Sequence, residues 1–291
     1  MHPSASVIIF TSLSGLGFGL MFWLGFGRPD VTGWTAFWFF FIAYGLSVGG
    51  LISSTLHLGN PQRAMKAFSQ WRTSWLSREG IAAVATLLLT APYAIGLIFY
   101  ETSLTILGWI SGILALLTIF TTSKIYNQLK TVPRWNMPLT PALFLVYALA
   151  GGGLLAGQIT IATVLLLALT ALQLAAWQMG DKAFAKAGHT LETATGLGHL
   201  GKMRLLESPH SNPNYLMREM VHIVGRKHAL KLRAISIITL GIFPVAILLF
   251  LPFSHMLASV AVVSHIIGLF VSRWLFFAEA EHVVGLYYDQ R

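Results

Sequence analysis

The sequence predicts an all-α integral membrane protein that crosses the bilayer about eight times, and three observations carry that prediction. Of its 291 residues, 55% are hydrophobic and only 10% charged, whereas soluble domains carry about 25% charged residues. Apolar runs of about 18 or more residues recur along the chain, the length a helix needs to cross a ~30 Å hydrocarbon layer. Finally, Lys and Arg gather in alternate connections between those runs. Helix is the only state available to the runs, because isolated strands leave backbone groups unpaired in lipid.

Taken in order, the runs cover about 6–26, 34–56, 80–100, 104–122, 141–157, 160–180, 234–253 and 257–277. The first has no basic leader and no small-residue cleavage site, so it reads as a retained helix rather than a signal peptide. Gly15 with Gly19 and Gly153 with Gly157 are small-xxx-small pairs that let helices approach closely. Four connections are minimal, at 28–33, 101–103, 157–160 and 252–255, while three are long, at 57–79, 123–140 and 181–233. One integral membrane domain spanning 1–291, packed as two four-helix bundles, accommodates all of this.

Every Lys and Arg except Arg28 and Arg273 lies on the side that carries the long connections and both termini. The positive-inside bias places that side in the cytoplasm. A formal net charge of +9 therefore reflects topology and anionic lipid contact, not nucleic-acid binding. With no cysteine, the chain holds no thiolate metal site and no cysteine-bound iron–sulfur cluster; any such cluster belongs to a partner.

Polar chemistry concentrates in the first long connection. Asn60-Pro61 suits a helix cap, and Ala64, Met65, Phe68 and Trp71 at helical spacing predict a short amphipathic helix over 60–71. Trp71 and Trp75 fit an aromatic belt, and Arg63, Lys66, Arg72 and Arg78 fit topology charges. His57 and Glu79 stand apart, because one ends a span, the other begins the next, and the return loop brings both to one depth. An imidazole that bonds a quinone carbonyl and a carboxylate that passes protons to bulk water are the abilities quinone redox chemistry needs. A surface or capping role is the plainer reading of a His at a helix end.

The other candidates are weaker. His265 sits near the middle of the last span, where an ionisable group faces the interior; without a second His at that depth, hydrogen-bonded packing is favoured over haem ligation. Arg273, Glu279, Glu281 and His282 cluster at the inner end of that span, either pairing with one another or lining the His57 cavity. In the connection 181–233, "GLGHLG" has the spacing of a dinucleotide fingerprint but no strand before it and no room for a βαβ unit. The stretch after Asn212-Pro213-Asn214 carries Leu216, Met220, Ile223, Val224 and His228 at positions that suit a basic amphipathic surface helix.

The ordered set "HLGNPQRA" (57–64), "SWLSREG" (74–80), "YNQLKTVPRWNMPLTP" (126–141) and "RWLFFAEAEH" (273–282) resembles the membrane anchor subunits of the dimethyl sulfoxide reductase family over most of the chain. The long "TATGLGHLGKMRLLESPHSNPNYLMREM" departs from the reductase anchors and is similar to the anchors of membrane-bound sulfite dehydrogenases. The resemblance implies a subunit of the bacterial inner membrane, both termini cytoplasmic. It implies docking of an iron–sulfur subunit and a molybdopterin catalytic subunit on the cytoplasmic face, and exchange of electrons with ubiquinone or menaquinone. His57 and Glu79 match the family's quinone-site positions, with Ser53, Trp75, Arg78, Arg273 and His282 as surrounding contacts. Sulfite oxidation with quinone reduction is the expected direction. The alternatives are quinol oxidation feeding a reductase, a haem-bearing cytochrome b type subunit, or a transporter, against which the scarcity of polar groups at mid-depth argues.

Overall fold

The computed structural model describes residues 1–55, 60–207, 210, 212, 214–220 and 227–288, with 61–64 described as backbone only. Its spans are α1 (Ala5–Gly25), α2 (Gly33–Thr55), α3 (Trp75–Phe99), α4 (Thr105–Asn127), α5 (Leu139–Leu155) and α6 (Ile159–Ala187). A one-turn helix α7 (Leu191–Thr195) follows, and then α8 (Ala229–Phe250) and α9 (His255–Ala278). Seven of these helices are long and apolar enough to cross a membrane. The eighth expected span is α5, at 17 residues the shortest, and it is packed into the centre. Among the described residues there is no strand.

Local chemistry sets the ends. Ser74 caps α3 by accepting from the Ser77 amide at 3.4 Å, and Ser254 caps α9 by accepting from the Leu257 amide at 3.1 Å. Thr190 and Thr193 form a capping box at α7, so the stretch leading into "GLGHLG" is helical, as the lack of a preceding strand requires. Gly188, with φ +66, lets α6 end in a left-handed residue. Within α8, residues Ile238–Ile242 form a π turn just ahead of Pro244. A proline has no N–H for the carbonyl four residues earlier, which here is that of Leu240. That carbonyl is met instead by Nδ1 of His265 at 2.8 Å, and the Thr239 carbonyl accepts from Ser264 at 2.8 Å. His265 therefore has the packing role expected of it. Its other ring nitrogen, Nε2, faces the backbone of Gly151.

The spans wrap around α1, 67% of whose apolar window is buried against 28% for α2. α1 packs on α2, α4 and α5 and touches α9. Close approach rests on small residues, with one member of each expected pair taking part, Gly19 against α5 and Gly153 against Trp23. A Cβ on Gly19 would lie 2.0 Å from the Ala148 carbonyl oxygen and one on Gly25 would lie 2.4 Å from that of Gly108, whereas Gly15 faces open space. Gly157 does not pack a helix either; it sits at φ +66 in the turn after α5.

The expected amphipathic helix at 60–71 is a 3₁₀ helix, Pro61–Gln70, led by Asn60 without a side-chain cap bond. It is tied to α3 by the Ser77 hydroxyl, which donates to the Ala67 carbonyl. The expected surface helix after Asn214 begins as a π turn over Leu216–Met220, and 221–226, with Ile223 and Val224, lie outside the described residues. The long connection and the two ends of the chain meet on one face. The Met1 amine donates to the Ala280 carbonyl and the His2 amide to that of Glu219, each at 2.7 Å. The Val283 amide donates to the Thr131 carbonyl at 2.9 Å, and the Tyr287 hydroxyl to that of Ala194. This is the termini face; the short turns lie on the opposite face.

Candidate functional site

Glu79 enters the fold one turn into α3, because the Ser74 cap starts that helix five residues before the apolar run begins. Its side chain is 4% exposed. The Thr122 hydroxyl, from the last turns of α4, lies 2.7 Å from the carboxyl and 3.0 Å from the Thr118 carbonyl. A threonine hydroxyl has one proton and can also accept. If that proton goes to Glu79, the carboxylate is served. If it goes to Thr118, the hydroxyl oxygen is free to accept from a protonated carboxylic acid. The pair thus fits both protonation states without moving a helix, and Glu79 has no ion-pair partner among the described residues.

Around this carboxyl the sequence candidates take separate positions. Trp75 lies between two cations, with the Arg78 guanidinium 4.3 Å and the Lys124 ammonium 5.7 Å from its ring. Arg78 also donates to the carbonyls of Trp71 at 2.9 Å and Arg72 at 2.6 Å, so it fastens the turn between the 3₁₀ helix and α3. Ser53 is buried and donates to the Ser6 carbonyl at 2.9 Å. His57 lies outside the described residues.

Arg273, on the last turns of α9, is buried with its guanidinium 3.8 Å above Phe144 and 4.7 Å above Tyr147. Its Nε has no hydrogen-bond partner among the described residues. Aromatic faces offset part of the cost of burying this cation. Tyr126 packs its ring on Trp135, Phe144, Phe276 and Phe277, and Phe144 is also the ring under the Arg273 guanidinium. Beside Arg273 runs a cleft of about 30 Å³ lined by Tyr147, Gln173, Ser272, Phe276 and Glu279. That volume suits a water or two, not an aromatic ring. Tyr147 donates to Gln173 Oε1 at 2.8 Å and also contacts the Ser272 hydroxyl.

Glu279 does not pair with Arg273. It accepts from Arg233 at 2.7 Å and Arg134 at 3.2 Å, and both arginines also hold Asp181. This four-membered cluster ties the 123–140 connection, the end of α6, the start of α8 and the end of α9 together. His282 lies next to it in sequence but is engaged elsewhere, its Nδ1 accepting from the Val284 amide at 3.0 Å. Burial first, and then the nearby N-terminal ammonium, hold its imidazole pKa below the ordinary value.

The structure therefore puts Glu79, Trp75 and Arg78 on the first turns of α3, sets Arg273 apart over Phe144 and Tyr147, and leaves Ser53 and His282 bonded to other segments. Thr122, Tyr126, Tyr147 and Gln173 are neighbours of these side chains that sequence reasoning does not single out. Threonine in an apolar helix usually bonds its own i−4 carbonyl, and only the facing carboxyl distinguishes Thr122 from its neighbours. Tyr126 is legible in part, as the first residue of the "YNQLKTVPRWNMPLTP" motif.

The profile of the DMSO reductase anchor subunit (DmsC) family matches residues 1–278. The chain is 31% identical over 327 aligned positions to a sulfite dehydrogenase subunit from Allochromatium vinosum, and the alignment covers 99% of each protein. No solved structure matches it. A chain of apolar helices with these matches over its length belongs to the DMSO reductase anchor subunit family of integral membrane proteins.

Proposed function

We propose that this chain anchors a molybdopterin and iron–sulfur oxidoreductase in the bacterial inner membrane and passes electrons from the iron–sulfur subunit to quinone. The sulfite dehydrogenase relative, alike over 99% of both chains, supports sulfite as the partner's substrate. The positive-inside bias supports the termini face as cytoplasmic and as the docking surface. The observation that carries the quinone reading is the buried Glu79 carboxyl facing a hydroxyl instead of a cation.

Quinone, when bound, supplies a two-electron, two-proton acceptor. The chain's part is to hold and deliver protons at the Glu79 carboxyl, with Thr122 serving either state. Trp75, one helical turn before Glu79, offers an aromatic ring packed on Phe120 of the helix that carries Thr122, while the Arg273 cleft is too small for the quinone ring. His57 is assigned here by the family resemblance alone. Quinol oxidation feeding a reductase is the second reading, favoured by the family's own description as a reductase anchor.

The test is purification of the tagged chain in mild detergent, followed by quinone assays. Co-purification of an iron–sulfur protein and a molybdoprotein, with sulfite-dependent reduction of quinone analogues, is the expected result. Glu79→Gln and His57→Ala are expected to leave assembly intact and lower that rate sharply. Unchanged rates in both would remove the site; a lone chain active in solute uptake would remove the anchor reading.

A further inference from the structure

Arg28 is the lone Lys or Arg among the connections of the opposite face, so topology does not account for it. It follows α1, is exposed, and lines two adjoining cavities of about 700 and 560 Å³ that share Phe26 and Trp109. Both are open at the surface, as a groove that takes a lipid from the side must be. The smaller cavity is a lateral groove over the end of α1, walled by Phe22, by Trp109 of α4 and by Ile161 of α6. It lies between α4 and α6. The larger cavity lies at its polar mouth and carries Asp30 as well as Arg28. Neither of these charges forms an ion pair with another described residue.

An apolar trough on the outside of the spanning helices, ending at one cation and one carboxylate without ion-pair partners among the described residues, is complementary to a molecule with an acyl chain, a phosphate and an ammonium. A guanidinium suits the phosphate, and a carboxylate suits a primary ammonium. We propose that this groove holds a zwitterionic aminophospholipid, its chain along Phe22, Trp109 and Ile161, its phosphate at Arg28 and its amine at Asp30. A purely anionic lipid would satisfy Arg28 but set a second negative charge against Asp30. This site is independent of the quinone reading.

Native mass spectrometry and lipid extraction of the detergent-purified complex test it. Phosphatidylethanolamine is expected to be enriched about fivefold over phosphatidylglycerol relative to the surrounding membrane, the size of preference an exposed charge contact supports. Arg28→Gln and, separately, Trp109→Ala are expected to bring retention down to the bulk ratio, and Asp30→Asn to turn the preference toward phosphatidylglycerol. As a second measurement, added phosphatidylethanolamine should raise the unfolding temperature of the wild-type complex more than phosphatidylglycerol does. Equal retention of the two lipids, retention indifferent to Arg28→Gln, or displacement of quinone instead of lipid by that variant would each overturn the assignment.

Discussion

Glu79 and Glu279 are both buried, at 4% and 5% exposure, and both lie toward the termini face, yet their neighbours differ completely. Glu279 is gripped by two guanidinium groups, which require a carboxylate acceptor. Glu79 meets one hydroxyl, which donates or accepts as needed. Burial alone therefore says little about what a carboxyl does. A carboxyl locked between cations ties helices together, whereas one facing a hydroxyl keeps a hydrogen-bond partner in either protonation state.

Exchanging each residue breaks or sharpens that contrast. The largest effect expected is on Glu79→Gln, which should lower quinone-analogue reduction by about 10²- to 10³-fold, the scale of a lost proton-transfer group, with little change in thermal unfolding. Next, Glu279→Gln should cost roughly 3 kcal/mol of stability, at the lower end for a broken buried pair because Asp181 still offsets one of the two arginine charges; differential scanning fluorimetry in detergent reads it. A reversal of these two results, with Glu79 structural and Glu279 catalytic, would end the comparison. Thr122→Val should then reduce the rate about tenfold and alter its pH profile, while Thr122→Ser retains both, since only the hydroxyl is needed.

Smaller effects test the margins. Asp181 shares both arginines but is 45% exposed, so Asp181→Asn should cost about 1 kcal/mol or less. His282 gives the smallest signal. Its pKa is depressed in the fold, so the unfolded chain takes up a proton before the folded one as pH falls through the ordinary histidine range. Stability should decline on acidification there, and His282→Gln should remove that part of the decline, an effect of about 2 °C or less in the unfolding temperature.

Much of the fold is legible in the sequence for a local reason. A spanning helix must be apolar along its length, so hydropathy locates seven of the observed spans and the short α5. Helix ends are less legible, because a helix continues past the apolar stretch when its polar residues find partners. α3 starts at Trp75 where Ser74 caps it, and α6 runs on through Asp181, which Arg134 and Arg233 hold. Depth in the last span marks His265 as a packing residue but does not say why it is there: the carbonyl it serves is left without an amide by Pro244 on another helix.

The sequence by itself determined the all-helical membrane fold, the alternation of long basic and short connections, and the family, because each depends on residues summed along the chain. Only the tertiary structure decided which glutamate met arginines and which met Thr122, that Arg273 would stack on Phe144 and Tyr147, and that Arg28 would crown an inter-helical groove. Those outcomes depend on how each helix is rotated and where its neighbours stop, and hydropathy carries no record of either.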